Sequence, residues 1–444
     1  MPNMRKDVDY RSVYNPDDVG SLLRYAKTME HHTIGELCVE EDIATCDIDK
    51  DKGRLGQVIE YGFFFIERNS SPEPDLGHGI ELKTTPVRVK KDDSRYPKER
   101  LSLALINYND IYDGMNFDET LHHKLNRLLI AFYIYDKDKK DLRDQYIDSV
   151  AFWTIPEEDL QIIKQDWSII RNLIVSGRAD ELSCRLTTYL EPAPKGKNKN
   201  DKVSYGEGFE AMKRAFALKP CYINRIYHSK NHADHIPADF SKGFDYAILS
   251  RFKRFEGLLT TDIESQLGVD IGTSKQRFFI LANYMVCGRN AKKIDELEKA
   301  GIMMKTVCLQ DGRPTQPMTF PAFDYFELSE EDWEDSEFRM MLDRKILLII
   351  FDILEDGAVM FRKAALWLVP ESDLVSIAET WEDTKSHILD QSYSFITHQK
   401  YADIAFVKPH SKTSKPVLCP DGNYRKVMGF AFKQDYVSEI VKGL

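Results

Sequence analysis

The sequence predicts an α/β protein built from two tandem copies of one domain. Three observations carry this. Short apolar runs of strand character alternate with amphipathic helical stretches along the chain. The second half repeats landmarks of the first at a long, constant offset. The chain's 444 residues, 42% hydrophobic and 30% charged, are enough for two domains or more, each with its own core.

The repeat is carried mainly by tryptophans. Trp153-Thr-Ile-Pro-Glu-Glu-Asp-Leu160, followed by Trp167, recurs as Trp367-Leu-Val-Pro-Glu-Ser-Asp-Leu374, followed by Trp381, an offset of 214 in both cases (367 − 153 and 381 − 167). Phe216-Ala-Leu-Lys219 recurs as Phe430-Ala-Phe-Lys433 at the same offset, and Leu128-Leu-Ile-Ala-Phe132 as Leu347-Leu-Ile-Ile-Phe351 at 219. A period this long marks a duplicated domain rather than a solenoid. The expected boundaries are 1–226 and 256–444, with 227–255 as a polar linker.

Taken in order, Asp17 to Met29 predicts a helix with Val19, Leu22, Leu23 and Tyr25 as its apolar stripe. Gly53 to Phe65 predicts a second, carrying Glu60. Gly79 to Lys83 reads as a strand, with Ile80 and Leu82 on one face and Glu81 and Lys83 on the other. A basic turn (Arg88 to Arg100) leads to strands at Leu101–Tyr108, Leu128–Tyr135 and Ser149–Ile155. Pro156-Glu-Glu-Asp159 then starts a long helix, with proline in its first turn and acids complementing the dipole.

The chemistry concentrates in Ser70-Ser-Pro-Glu-Pro-Asp-Leu-Gly-His-Gly-Ile-Glu-Leu-Lys-Thr-Thr-Pro-Val87. Asp75 stands six residues before Glu81, and the glycines between them permit a sharp turn that folds one carboxylate beside the other. Two carboxylates and the Lys83 ammonium at one strand end suit a hard divalent cation with an activated water. An exposed edge strand with solvated Glu81 and Lys83 is the bland alternative. His78, inside this turn, either approaches a ligand or is simply exposed.

The pattern proline–aspartate…(Asp/Glu)-x-Lys is that of restriction-endonuclease-like nucleases. The longer string GIELKTTPV, with Pro74-Asp75 upstream and Gly56-Gln-Val-Ile-Glu60 before it, resembles the MutH family, which joins a mismatch-repair nickase and GATC-specific restriction endonucleases. The resemblance implies two tandem restriction-endonuclease-like (MutH-type) domains, each a mixed central sheet flanked by helices. It implies that Asp75 and Glu81 hold one or two Mg2+ ions, that Lys83 orients the attacking hydroxide or stabilises the phosphate, and that Glu60 assists from its helix. It further implies type II cleavage of GATC in duplex DNA, 5′ to the G. The alternatives are a mismatch-repair nicking enzyme of the same family and, in another class, a non-catalytic DNA-binding protein.

In the second copy, Gly301-Ile-Met-Met-Lys305-Thr306 aligns with Gly79-Ile-Glu-Leu-Lys83-Thr84 at an offset of 222. Met303 then stands for Glu81, Ala282 for Glu60, and Leu297 for Asp75, with Glu296 or Glu298 available by a one-residue slip. A thioether does not hold magnesium, so this copy is expected to keep the fold and lose the chemistry. The resemblance implies that it is a DNA-binding, allosteric domain.

The net charge of −11 speaks against nucleic acid, but its distribution speaks for it. Pro192 to Lys230 carries nine Lys/Arg against three Asp/Glu, and Lys408 to Lys433 six against one. Candidate phosphate contacts are Lys195, Lys197, Lys199, Lys213, Arg214 and Lys219 in the first copy, and Lys408, Lys412, Lys415, Arg425 and Lys426 in the second. Double-stranded DNA is the expected partner, with a chain monomeric in solution that pairs on DNA; a cognate methyltransferase would act on the same site without binding. A polar start, no apolar run long enough for a bilayer, and seven dispersed cysteines without C-x-x-C spacing lead to the expectation of a cytoplasmic protein with reduced thiols. His228-x3-His232-x2-His235 has metal-ligand spacing but also fits a solvated linker. The acidic run Glu330 to Glu337 reads as a solvated helix face or as a mimic of DNA over a basic cleft.

Overall fold

The computed structural model describes residues 4–47, 53–67, 73–90, 93–136, 141–196, 201–393, 402–410 and 415–444. Packing divides the chain into two compact units, Met1–His232 with Glu298–Ala300, and Ala233–Leu297 with Gly301–Leu444. Both are mixed α/β.

In the first unit, strands β1 (Ile80–Val89), β2 (Arg95–Pro97), β3 (Leu101–Leu105), β4 (Arg127–Ile134), β5 (Tyr146–Thr154), β6 (Leu190–Pro194), β7 (Lys202–Tyr205), β8 (Phe209–Met212) and β9 (Arg214–Leu218) follow in sequence. They form a four-stranded sheet ordered β2-β1-β4-β5, a three-stranded sheet ordered β3-β9-β6, and the hairpin β7–β8. The first sheet is mixed: β1 runs parallel to β4, while β2 and β5 are antiparallel to their neighbours. Its centre, β4, is buried on both faces, as its unbroken Leu-Leu-Ile-Ala-Phe run requires. One face takes the N-terminal helices, where Leu22, Ala26, Val58 and Ile59 meet Leu82, Leu129 and Ala131. Helix Glu157–Val175 begins as expected after Pro156, with Glu157, Glu158 and Asp159 in its first turn.

The second unit repeats this topology. Its strands are β10 (Met303–Gln310), β11 (Arg313–Pro314), β12 (Met318–Ala322), β13 (Ile346–Ile353), β14 (Val359–Trp367), β15 (Ala405–Pro409), β16 (Val417–Leu418), β17 (Tyr424–Arg425) and β18 (Met428–Phe432). The sheets are β11-β10-β13-β14 and β12-β18-β15, with hairpin β16–β17. Individual hydrogen bonds repeat as well. Tyr222 Oη donates to Asp159 Oδ2 at 2.6 Å, and Tyr436 Oη to Asp373 Oδ2 at 2.7 Å.

Strand pairing corrects one part of the repeat. Leu128 faces Trp153 and Ile346 faces Trp367, and a bulge follows Phe132 in one ladder and Ile350 in the other. Leu128 therefore corresponds to Ile346 rather than Leu347, because an all-apolar strand lets a one-residue slip pass unnoticed. The corrected register agrees with the alignment of the Gly79 and Gly301 strings, since Lys83 pairs with Ile130 and Lys305 with Leu348.

Other expectations also shift. The stretch read as a linker contains helix Phe244–Lys253, whose Phe244, Ala247, Ile248 and Phe252 are buried in the second unit. Its apolar stripe was masked by the polar residues around it. The first unit closes with helix Pro220–Tyr227, which crosses the expected boundary at 226. The basic turn expected from Arg88 to Arg100 contains the end of β1 and the short strand β2 (Arg95–Pro97), and Leu101–Tyr108 ends as strand at Leu105 before a short helix begins at Tyr108. The acidic run connects the last residue of helix Tyr325–Glu330 to the first of helix Glu337–Leu342 through a 3-10 turn, Trp333–Asp335, with Trp333 buried, instead of lining one helix face. All seven cysteines are free thiols, and no described helix is long and apolar enough to cross a membrane.

Candidate active site

The site is built at the N-terminal end of β1. The turn before it needs left-handed backbone at His78 (φ 63°) and Gly79 (φ 69°), and glycine makes the second of these cheap. Leu76 N–H then bonds Ile80 O at 2.9 Å, and Asp75 Oδ2 accepts Leu82 N–H at 3.1 Å. The chain does fold back, and Asp75 arrives beside the strand.

Glu81 and Lys83 project from the same face of β1 toward Asp75. Lys83 Nζ donates to Glu81 Oε1 and lies 3.9 Å from Asp75 Oδ2. The exposed-edge alternative fails: β1 pairs with β4 from Ile80 to Val87, and Glu81 is only 1% exposed. Glu81 Oε2 is fully buried and has no hydrogen-bond partner. A buried carboxylate oxygen left without a donor is costly unless something fills its lone pairs, and a cation does so. Asp75, Glu81 and the orphaned oxygen thus fit a hard divalent ion by the chemistry of their donors.

Glu60 comes from the other side. Helix Arg54–Val58 continues into a π-helical turn, Ile59–Phe63, which carries it. The approach to β1 is close: a Cβ at Gly56 would lie 3.3 Å from Thr84 Oγ1 and 3.9 Å from Glu60 Oε1. Burial pushes the Glu60 carboxyl up to about 7, and the Asp75 charge adds to this while Lys83 opposes it. Glu81 is likewise raised, by burial first, against the pull of Lys83. Burial alone would push the Lys83 ammonium down, but Glu81 and Asp75 outweigh it and hold it cationic.

Glu60 yields a stability prediction. Its folded-state pKa, about 7, exceeds the ordinary carboxyl value of 4.5, so the folded state binds this proton more tightly. The stability that goes with the proton is lost as pH rises from the ordinary value through 7. With divalent ions removed, Glu60→Gln should therefore melt with the wild type near pH 4.5 and above it at pH 8, by up to about 3 kcal/mol. Thermal unfolding at the two pH values checks this; equal melting at pH 8 would contradict it.

One site residue has no signal in the linear pattern. Lys124, 14% exposed, places Nζ 3.5 Å from Glu81 Oε1. It follows a second π-helical turn, Asp118–His122, and reaches the site because β4 starts just after it, parallel to β1. Such turns recur at functional sites because the extra residue re-aims a side chain.

The basic residues divide. Lys195 and Lys213 are exposed, the latter 3.5 Å from Asp201. Lys197, Lys199 and Lys412 lie outside the described residues. Arg214 is partly buried and donates to Pro192 O at 2.8 Å. Lys219 does not fit a phosphate contact: it is 5% exposed and its ammonium donates to Thr187 O. The cause is its place at the end of β9, where the stem enters the core and the charge must be satisfied internally. Lys433 repeats this, donating to Ala402 O at 2.8 Å. In the second unit Lys415 and Lys426 are exposed and Lys408 is half-buried. Arg425 is already engaged, bonded to Asp421 at 2.6 Å and lying 3.6 Å over the Tyr393 ring.

Around Lys305 the carboxylates are gone. Met303 replaces Glu81, and Ala282 lies buried in Arg277–Cys287, an α-helix without a π turn. Lys305 Nζ donates to Thr319 O at 2.5 Å, and burial pushes its ammonium down to about 8 with no acid opposing. Of the slipped alternatives, Glu296 turns instead to His235 and Ile236 N–H, and neither it nor Glu298 opposes the effect of burial on Lys305.

A mixed sheet that brings two carboxylates and two lysines together at one strand end is the arrangement of the restriction-endonuclease-like class. The family model "DNA mismatch repair enzyme MutH" matches residues 64–166. Similar proteins include the type II restriction enzyme Sau3AI of Staphylococcus aureus, 28% identical over 76% of this chain and 74% of that one. They also include DNA mismatch repair protein MutH of Shewanella woodyi, 32% identical over 42% of this chain and 78% of that one, and MutH of Haemophilus influenzae, 31% identical over 41% and 80%. The chain belongs to the MutH family.

Proposed function

We propose that this chain is a type II restriction endonuclease that hydrolyses duplex DNA at GATC, 5′ to the G, with Mg2+ as cofactor. The observation that carries the hydrolytic part is the convergence of Asp75, Glu81, Lys83 and Lys124, with Glu81 Oε2 left for a cation. Asp75 and Glu81 would hold the ion, which supplies a bound water of lowered pKa and neutralises charge on the scissile phosphate. Lys83, kept cationic by its acids, meets the charge that develops on the phosphate and orients the attacking water. Lys124 shares Glu81 Oε1 with Lys83, which leaves Oε2 to bind the ion. Glu60, poised near neutrality, positions Lys83 or takes a proton from the water shell.

Restriction rather than nicking is favoured by extent. Similarity to the restriction enzyme spans 76% of the chain, whereas similarity to the MutH proteins spans 41–48%. The GATC assignment rests on this kinship. End mapping of a sequenced plasmid digested with Mg2+ tests it: both strands should end with 5′-phosphates at GATC. Ends at another tetranucleotide discard the specificity, and nicks alone favour the repair reading.

In this proposal the second unit binds DNA without cutting it and raises the activity of the first. Its support is the pairing of lost carboxylates with retained exposed Lys415 and Lys426. Phosphate contacts should make that binding fall with salt, log K dropping by about 0.9 per phosphate neutralised. A plasmid with two sites should be cut several-fold faster than one with a single site, and Lys415→Glu with Lys426→Glu should abolish the difference. Equal rates on both plasmids with the wild type would leave the second unit without an effector role. One catalytic site cuts one strand, so two chains, monomeric alone, would pair on the palindrome.

A further inference from the structure

The second unit carries a set of metal-ligating side chains that the nuclease chemistry leaves unused. His235 Nδ1 lies 3.1 Å from Glu296 Oε1 and 3.8 Å from Asp295 Oδ2. One donor atom from each residue falls within 4.8 Å of the others, and among the described residues this is the one group of three or more His, Cys, Asp or Glu side chains so close. Zinc bonds of about 2.1 Å place neighbouring tetrahedral ligands roughly 3.4 Å apart, and the two distances to His235 straddle that value. The carboxylates are inside and the imidazole is at the mouth: the side chains of Asp295, Glu296 and His235 are 5%, 10% and 70% exposed.

The ligands sit on two segments that the backbone already ties together. Asp234 N–H bonds Lys293 O at 2.9 Å and Asp295 N–H bonds Asp234 O at 2.8 Å, across a parallel bridge between Asp234 and Ile294. Ile236 N–H holds Glu296 Oε2 at 3.0 Å, which leaves Oε1 aimed at the imidazole. Such an outer hydrogen bond is what orients a ligating carboxylate. Asp295 and Glu296 stand two and one residues before Leu297, the counterpart of Asp75. Acidic donors are therefore present beside the degenerate strand, but they are turned away from Lys305 and toward a histidine. His228 and His232 take no part; the His228 ring lies 2.9 Å from Arg95 O.

We propose that His235, Asp295 and Glu296 form a second, non-catalytic metal site in the second unit, one that takes Zn2+ in preference to Mg2+. An imidazole with two carboxylates suits a borderline ion such as Zn2+, whereas Mg2+ favours oxygen-only shells that keep several waters. The bound ion pins residues 233–236 to the start of helix Asp295–Ala300.

The test does not depend on nuclease activity. The metal-free full chain carrying Asp75→Asn and Glu81→Gln, which silences the first site, is titrated with Zn2+ by calorimetry. One equivalent should bind, undisturbed by millimolar Mg2+. Loss of an outer-shell partner costs 10–100-fold in affinity, so adding His235→Ala should weaken binding by at least about 100-fold. Co2+ in place of Zn2+ should give visible absorption that His235→Ala removes. His235 is exposed, so the variant should melt with its parent in chelator; Asp295→Asn is the second variant should it not. Absence of stoichiometric binding, or binding indifferent to both substitutions, overturns the proposal and leaves the trio a hydrogen-bonded helix start.

Discussion

Glu81→Gln should lower cleavage by at least about 10³-fold while DNA binding measured in Ca2+ stays within a few-fold of wild type. The side chain is isosteric, but it loses the charge that binds a cation and that holds Lys83. Asp75→Asn should act alike, since Asp75 shares Lys83 with Glu81. Glu81 is buried at 1% exposure, so the substitution also removes an ionised group from the interior. Its stability should hold or rise, and a dead but well-folded chain is the expected product. Cleavage within tenfold of wild type would remove Glu81 from the metal site. Loss of both cleavage and folding would be answered by thermal unfolding of the same sample.

The second large effect belongs to Lys124. Its side chain is 14% exposed and its ammonium lies 3.5 Å from Glu81 Oε1, and no other cation but Lys83 is paired with that carboxylate among the described residues. Lys124→Ala should reduce the single-turnover rate by about 10²-fold or more, with affinity for DNA little changed. Lys124→Arg should recover part of it, because the charge returns in a different geometry. A loss confined to affinity, with the single-turnover rate intact, would make Lys124 a phosphate contact only.

These two residues also mark where the sequence was legible. Glu81 was visible because strand periodicity, the Asp75 spacing and Lys83 are local: they lie within nine residues and need only one turn to meet. The duplicated α/β architecture was visible because tryptophans and proline-started helices keep their spacing through a duplication. Lys124 was not visible, since its place depends on the parallel crossover that sets β4 beside β1. Lys219 misled because composition counts charges without regard to burial, and its ammonium is satisfied by Thr187 O inside the unit. The 227–255 stretch misled in the opposite sense, its polar residues hiding Phe244, Ile248 and Phe252 at helical spacing. The slip between Leu347 and Ile346 has the same origin as the burial of β13: a strand buried on both faces carries no alternation to fix its register.

Two units share one topology, and among the described residues only the first keeps carboxylates beside its strand lysine, the reason the proposed chemistry is assigned there. Lys83 and Lys305 occupy corresponding positions on β1 and β10, each paired with an interior strand, yet one has two carboxylates beside it and the other a backbone carbonyl. The most direct measurement is single-turnover cleavage of a saturated duplex, strand by strand, by the Lys83→Ala and Lys305→Ala chains in Mg2+. Lys83→Ala should cut neither strand detectably, and Lys305→Ala should cut both within a few-fold of wild type. Loss of cutting in Lys305→Ala, or wild-type cutting in Lys83→Ala, would contradict the assignment of the chemistry to the first unit.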